Sequence, residues 1–122
     1  MKELCIDTYA LWEIIQGNPK FSFLLNEEMV ITEWTLLELY KTMIKSFDKS
    51  FSLLWIEKFR PFSRTVNFET LMMSVDFFEE NKKKNLSLFD CVGYIYSKTN
   101  NLRFVTGDKE FKDMENVLFI TK

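Results

Sequence analysis

The sequence contains no histidine and little glycine, proline or cysteine. Its 122 residues include three glycines, two prolines and two cysteines. Without an imidazole, a zinc site of the usual kind has too few ligands, and the commonest general base and the Ser/His and Cys/His nucleophile pairs are excluded. Any hydrolytic chemistry must therefore depend on carboxylates. Cys5 and Cys91 have no CxxC spacing, so we expect reduced thiols that behave as small buried hydrophobes.

The chain also lacks a long apolar run and an excess of basic residues. No stretch approaches the roughly 18 apolar residues that a membrane span needs, so we expect a soluble, cytoplasmic protein with no membrane partner. The formal net charge of −2 argues against a protein whose main role is to coat nucleic acid, because such proteins carry a basic footprint. The 47% hydrophobic content predicts one compact domain over residues 1–122.

Short apolar runs alternate with segments of helical periodicity along the whole chain. The patterns predict strands at 3–7, 28–32, 64–68 and 102–106, and a last apolar run follows at 116–120. They also predict helices that follow Asp7 and Thr32, and further helices at 46–59, 69–84 and 87–98. The inward-facing side chains are expected to be Trp34, Leu37 and Ile44 in the second helix and Leu71, Val75 and Phe78 in the fourth. This alternation predicts an α/β fold, with a central, mostly parallel, twisted sheet covered by helices on both faces.

Four acidic residues are the candidates for a functional site. Asp7 ends the first strand and Asp108 follows the strand at 102–106, and ligands of open α/β sheets bind outside the carboxyl ends of strands. Glu38 lies on the helix after the second strand and can reach the same edge. Asp90 lies in the first turn of a helix, inside the apolar and aromatic stretch LFDCVGYIY, where an ionised carboxylate needs a compensating partner.

Each of these acids also has a simpler structural interpretation. Asp7 and Asp108 could serve as helix N-caps, and Asp90 could interact with the helix dipole in a turn capped by Ser87. Glu38 could be an ordinary helix former, with Glu33 as a competing choice.

Carboxylates that converge at one edge of a sheet repel one another unless a cation neutralises them. Oxygen ligands of this kind suit Mg²⁺ or Mn²⁺. One or two such ions can activate a water and stabilise the attacking and leaving oxygens of a phosphodiester. The acidic constellation therefore predicts metal-dependent nuclease chemistry.

Four blocks of the sequence resemble the PIN domain, and specifically the small VapC-like toxin ribonucleases. CIDTYALWE is similar to the opening strand with its Asp-Thr motif at Asp7 and Thr8, and ITEWTLLELY is similar to the block whose helical acid matches Glu38. LSLFDCVGYIYSKTNNLRFVTGDKEF contains the last two blocks, a helical aspartate at Asp90 and then a strand followed by Thr-x-Asp at Thr106 and Asp108. The resemblance covers essentially the whole chain. Tyr9 departs from it, because many relatives have a small polar residue there.

The resemblance implies a PIN-like three-layer α/β/α fold and an endonuclease that cuts single-stranded RNA with Mg²⁺ or Mn²⁺. The catalytic and metal-binding residues would be Asp7, Glu38, Asp90 and Asp108, and Thr8 and Thr106 would contact the substrate. Independently of the resemblance, Lys109 is a candidate phosphate contact because it directly follows Asp108. The resemblance also implies a small antitoxin protein that inserts a segment into the active-site groove, and a homodimer.

The sequence alone leaves other functional hypotheses open. The chain could be a PIN-like module that binds a protein and has lost the chemistry, or a PIN nuclease of RNA processing. A phosphate-accepting receiver domain is disfavoured, because no aspartate lies on a central strand where that class needs one. Lys82, Lys83 and Lys84 are expected to face water at the end of a helix. Trp12, Trp34 and Trp55 are expected in the core or at an interface.

Overall fold

A computed structural model of the chain describes residues 3–122 as one parallel sheet with helices on both faces. The strands are β1 (Leu4–Ile6), β2 (Met29–Thr32), β3 (Ser63–Arg64), β4 (Arg103–Thr106) and β5 (Val117–Phe119). The helices are α1 (Thr8–Ile15), α2 (Glu33–Ser46), α3 (Lys49–Phe59), α4 (Phe68–Glu80) and α5 (Leu88–Thr99). Short 3-10 turns occupy Ser22–Asn26, Arg60–Phe62 and Lys109–Phe111. The strand order is β3-β2-β1-β4-β5, with every pairing parallel, which confirms the predicted fold class.

The alternation of side chains along the central strands divides the core into two layers. Leu4 and Ile6 of β1 point to the face covered by α1, α2 and α3, whereas Cys5 points to the face covered by α5. The same alternation separates Val105 from Phe104 in β4. Because side chains of a strand alternate between its faces, a sheet with two buried faces needs near-continuous apolar strands. The chain supplies them, and the predicted three-layer arrangement is confirmed.

Side-chain caps fix where most of the helices begin. Thr32 accepts a hydrogen bond from the Thr35 N–H at 3.0 Å, and Asp48 accepts one from the Phe51 N–H at 2.8 Å. The Asn67 amide oxygen accepts from the Thr70 N–H at 2.8 Å. Each cap satisfies one of the backbone donors that the first turn of a helix leaves free.

These caps also explain three boundaries that the sequence prediction placed wrongly. The strand predicted at 64–68 is only Ser63–Arg64, because Asn67 caps a helix that already begins at Phe68. The helix predicted from residue 46 begins at Lys49, after its cap Asp48. The helix predicted to reach residue 84 ends at Glu80, where the Asn81 side-chain amide donates to the Phe77 carbonyl at 2.8 Å. Lys82, Lys83 and Lys84 follow it as exposed residues, as predicted.

The predicted inward faces of α2 and α4 were partly wrong. Leu37 and Ile44 are 57% and 47% exposed, and the buried residues of α2 are Thr35, Leu36, Leu39 and Met43. Val75 of α4 is 45% exposed, while the small side chains of Thr70 and Ser74 are buried against the rest of the domain. Both helices carry apolar residues on more than one side, so the apolar spacing alone did not determine which side faces the sheet.

Two further expectations concern the cysteines and the membrane. Cys5 and Cys91 are both free thiols with no exposed surface, and burial raises the pKa of each to about 12. This confirms two reduced, buried side chains. Within residues 3–122, none of the helices combines the length and the apolar character that crossing a bilayer requires.

Candidate active site

The sheet places two of the four predicted acids beside the junction of β1 and β4. Asp7 directly follows β1, and its N–H donates to the Val105 carbonyl of β4 at 2.9 Å. Asp108 lies two residues after the end of β4. From β1 the chain continues to β2 and β3 on one side of β1, whereas β4 and β5 lie on its other side. The strand order therefore reverses between β1 and β4. Such reversal points form the ligand-binding crevice of open α/β sheets.

Three carboxylates from distant parts of the chain converge at this crevice. One oxygen from each of Asp7, Glu38 and Asp90 lies within 4.8 Å of the other two. They come from the end of β1, the middle of α2 and the first turn of α5. The ion pairs found within residues 3–122 join Arg60 to Glu57, Lys82 to Glu79 and Lys98 to Glu115, so none of them neutralises this cluster.

Two hydroxyl groups orient Glu38. The Thr8 hydroxyl donates to Glu38 Oε1 at 2.6 Å, and the Ser87 hydroxyl donates to Oε2 at 3.1 Å. Both carboxylate oxygens are therefore fixed from opposite sides of the crevice, one by α1 and one by the residue before α5. Glu33, the competing choice, is exposed in the first turn of α2.

Asp7 is the most buried of the three acids, with 3% of its surface exposed. It occupies the N-cap position of α1, yet its side chain makes no capping hydrogen bond. Instead Oδ2 accepts a hydrogen bond from the Thr106 hydroxyl at 2.7 Å. Burial first, and then the charges of Asp90 and Glu38, raise the pKa of Asp7 well above its usual value, while the Thr106 hydrogen bond lowers it. The side chain of Asp7 therefore binds Thr106 and does not cap α1.

Asp90 combines a capping role with membership of the cluster. Its Oδ2 accepts from the Ser87 N–H at 3.0 Å, and its own N–H donates to Ser87 Oγ at 3.1 Å, which completes a capping box. Burial, followed by the charge of Glu38, raises the pKa of Asp90 to about 6, against the hydrogen bonds from Ser87 that lower it. The capping interpretation is therefore correct. It does not explain why three carboxylates that repel one another lie so close together.

Asp108 stands apart from the three converging carboxylates while it faces the same cavity. Its Oδ1 accepts from the Glu110 N–H at 3.0 Å, so it caps the 3-10 turn at Lys109–Phe111. Its charge also contributes to the raised pKa of Asp90. Lys109 is exposed next to it. The cavity, which we call the carboxylate cavity, has a volume of about 450 Å³ and is lined by Asp7, Thr8, Tyr9, Glu38, Thr42, Asp90, Gly107, Asp108 and Lys109.

The two predicted threonines contact carboxylates. Thr8 is bound to Glu38, and Thr106, which has no exposed surface, is bound to Asp7 and accepts from the Asp108 N–H at 3.1 Å. Their role in substrate contact stays a prediction, as does that of Lys109. Sequence reasoning named Ser87 only as a cap and missed its bond to Glu38, because no local pattern links residues 49 positions apart.

Comparisons with known proteins give a fold but no sequence relative. No protein-family model matches the chain, and no curated protein matches it. Among solved structures, VapC20 of Mycobacterium tuberculosis, described as a sarcin-ricin loop cleaving toxin, aligns with a TM-score of 0.75 at 12% identity over 96% of both chains. DNA-bound VapBC of Salmonella typhimurium aligns with a TM-score of 0.73 at 20% identity over 98% of both.

A toxin-antitoxin complex from Klebsiella pneumoniae gives a TM-score of 0.70 at 18% identity, over 94% of this chain and 95% of that one. Identities this low establish a shared fold. The chain therefore has the PIN-like α/β fold, and its structural neighbours along nearly its whole length are VapC and VapBC toxins.

Proposed function

We propose that the chain is a metal-dependent endoribonuclease that cuts single-stranded RNA and is the toxin of a type II toxin–antitoxin pair. One observation carries the proposal: Asp7, Glu38 and Asp90 hold three carboxylate oxygens within 4.8 Å of one another in an open cavity. Mutual repulsion makes that arrangement costly for a protein that does not use it. The PIN-like fold and the acidic cluster together favour a hydrolase acting on phosphodiester bonds.

The donor set fits a hard divalent cation. The three side chains offer oxygen atoms alone, which suits Mg²⁺ or Mn²⁺ and disfavours metals that prefer nitrogen or sulfur. Asp7, Glu38 and Asp90 would hold the ion, with Asp108 as a fourth acid at the cavity wall. A divalent ion bound there would supply an activated water and positive charge that stabilises the developing negative charge of the phosphodiester.

Neighbouring hydroxyl groups hold the acids in position for metal binding. Thr8 and Ser87 hold both oxygens of Glu38, and Thr106 holds Asp7. Hydrogen bonds of this kind keep ligating carboxylates in one orientation. Lys109, exposed at the rim of the cavity, can contact a phosphate of the RNA backbone.

Cleavage should depend on the cation. Purified protein with Mg²⁺ or Mn²⁺ is expected to cut a labelled single-stranded RNA. EDTA is expected to reduce the rate to background, because it removes the cation and none of the ion pairs within the described residues involves the cluster. Gel analysis of the products measures both. Adding excess Mn²⁺ after EDTA serves as the control and should restore cleavage. Cutting that continues unchanged in EDTA would contradict the proposal.

Ser87→Ala should weaken metal binding as well as the helix. It removes the α5 cap, at a cost of about 1 kcal/mol, and it frees one oxygen of Glu38. Loss of such a supporting bond typically costs roughly 10- to 100-fold in metal affinity, measurable by Mn²⁺ calorimetry.

Asn67→Ala is the matched control for Ser87→Ala, because Asn67 caps α4 away from the cluster. It should lower the melting temperature by a similar amount and leave Mn²⁺ affinity as it is. Equal Mn²⁺ affinity in both variants would show that Ser87 has no part in the site.

The toxin assignment adds a protein partner and a place of action. Several structural neighbours are complexes named as toxin–antitoxin or VapBC pairs, which supports a small antitoxin that blocks the acidic cavity in the cytoplasm. Co-expression with the product of an adjacent small reading frame should relieve growth arrest and yield a stable complex. Failure to find such a neighbour would favour a PIN nuclease of RNA processing with the same active site. Sedimentation would test the expected homodimer.

A binding module without catalytic activity is the second candidate. Apolar side chains lie exposed on α4, with Phe68 72%, Met72 48% and Val75 45% accessible, and exposed apolar surface often marks a protein contact. Such a module need bind no divalent ion, whereas the nuclease must. Mn²⁺ calorimetry separates the two.

A further inference from the structure

The carboxylate cavity adjoins a second cavity along the same helix. The second cavity, which we call the aromatic cavity, has a volume of about 280 Å³ and is lined by Thr8, Tyr9, Trp12, Glu13, Thr42 and Lys122. Thr8, Tyr9 and Thr42 line both cavities. A chain that enters the carboxylate cavity therefore has a neighbouring recess within reach, with the three acids at one end and Trp12 at the other.

One of the side chains that line both cavities, Tyr9, is a firmly held aromatic ring. Tyr9 packs so closely over Gly107 that a Cβ at that glycine would lie 2.2 Å from Tyr9 Cε1. Its hydroxyl accepts a hydrogen bond from the Lys122 backbone N–H at 3.2 Å, and its ring centroid is 6.2 Å from that of Phe21. Because these three contacts already fix the Tyr9 side chain, it loses little conformational freedom when a ligand binds beside it.

Trp12 supplies a second aromatic surface. It is half-buried, and its ring centroid lies 5.6 Å from that of Phe47, so the core fixes it while part of the side chain lines the aromatic cavity. Unpaired bases of single-stranded RNA bind by stacking on aromatic side chains of this kind. The contact with the core agrees with the prediction from the sequence, which favoured the core or an interface over base stacking for Trp12.

Glu13 adds a hydrogen-bond acceptor to the lining of the aromatic cavity. Its side chain is 8% exposed, and its Oε1 accepts from Asn18 Nδ2 at 3.0 Å, which fixes the carboxylate. An ionised carboxylate can only accept hydrogen bonds. Among the four RNA bases, guanine presents an N–H and an amino group side by side on its Watson–Crick edge, so it offers a carboxylate the best complement.

We propose that the aromatic cavity binds a guanine base of the RNA, adjacent to the phosphate that lies at the carboxylate cluster. Tyr9 and Trp12 contact the base and Glu13 accepts from its Watson–Crick edge. The proposal rests on the proposed nuclease function for the identity of the ligand. It assigns the sequence preference of the enzyme to α1, away from the acids that perform the reaction.

The test uses binding as well as cleavage. In an Asp90→Asn background with Mg²⁺, fluorescence anisotropy measures the affinity for labelled hexanucleotides that contain one guanine, or inosine or adenine in its place. Trp12→Leu is expected to weaken binding of the guanine-containing RNA about tenfold, and Glu13→Gln, which can keep the Asn18 hydrogen bond, to reduce the preference for guanine over inosine. Trp55→Leu is the matched control, since Trp55 packs on the same core cluster but lines neither cavity.

Cleavage maps on a randomised RNA pool complete the design. The unmodified chain should show guanine at one fixed position beside the cut, and Trp12→Leu should flatten that preference. If RNA is cut without any base preference, or if Trp12→Leu and Glu13→Gln bind guanine- and inosine-containing RNA as the parent does, the aromatic cavity is not a base site although the nuclease proposal survives.

If no RNA is cut but the binding differences persist, the nuclease proposal fails and the base site stands. If the unmodified chain neither cuts nor binds RNA, both fail. Should Trp12→Leu not fold, Trp12→Phe and Glu13→Gln carry the same comparison.

Discussion

Replacing Asp90 with asparagine is expected to reduce RNA cleavage at least about a hundredfold while the protein stays folded. The substitution removes one of three anionic ligands from a group whose oxygens lie within 4.8 Å of one another. It leaves the shape of the side chain intact, and the asparagine oxygen can still accept from the Ser87 N–H as Asp90 does now. Cleavage rates at saturating Mn²⁺, with circular dichroism of the same sample, measure the two effects separately.

Asp76→Asn provides the comparison for that experiment. Asp76 is an exposed acid on α4, so its replacement changes the net charge equally without touching the cavity. Its activity should match that of the unaltered chain. Unchanged cleavage in Asp90→Asn, or an equal loss in both variants, would remove the carboxylate cluster from the mechanism.

The second large effect concerns stability, which in the metal-free protein should rise as the pH falls from about 7 towards about 4. The pKa of Asp90 is raised from 3.8 to about 6 in the folded protein, and that of Asp7 is raised as well. Between the unfolded and folded pKa values the folded state binds more protons than the unfolded chain, so protonation favours folding. Above the folded pKa, the repulsion and burial cost are fully present.

The size of this effect follows from the displacement of the Asp90 pKa. Each unit is worth about 1.4 kcal/mol, so the rise of the Asp90 pKa from 3.8 to about 6 costs about 3 kcal/mol of folding free energy at neutral pH. Chemical unfolding in EDTA at a series of pH values measures it. Below about pH 4 the gain should cease, because both states are then protonated.

Asp90→Asn isolates this contribution from other titrations. The variant should be more stable than the parent at pH 7.5, and the difference should shrink towards pH 4. Mn²⁺ should stabilise the parent at pH 7.5 more than it stabilises the variant, since a bound cation offsets the repulsion. If metal-free parent and variant unfold alike at every pH, the charge of Asp90 carries neither the burial cost nor the repulsion that raise its pKa.

Much of the fold could be read from local patterns. Apolar runs at 3–7 and 102–106 marked β1 and β4, and Thr32 and Ser87 marked the starts of α2 and α5 because a cap acts within one turn of its helix. The short strand β3 could not be read this way, since Asn67 competed for the same residues and its cap took precedence. The inward side of α2 was also beyond local reasoning, because Leu36 and Leu37 are equally apolar neighbours.

The sequence by itself determined the parallel α/β fold, the absence of imidazole chemistry and the set of acids near the ends of β1 and β4. Only the tertiary structure decided that Asp7, Glu38 and Asp90 meet while Asp108 stays at the wall. It alone also decided that Ser87 holds Glu38 and that Tyr9 lines two cavities. The physical reason is range. Strand pleats, helical periods and caps act over a few residues, whereas the distances within the site depend on how whole helices pack against the sheet.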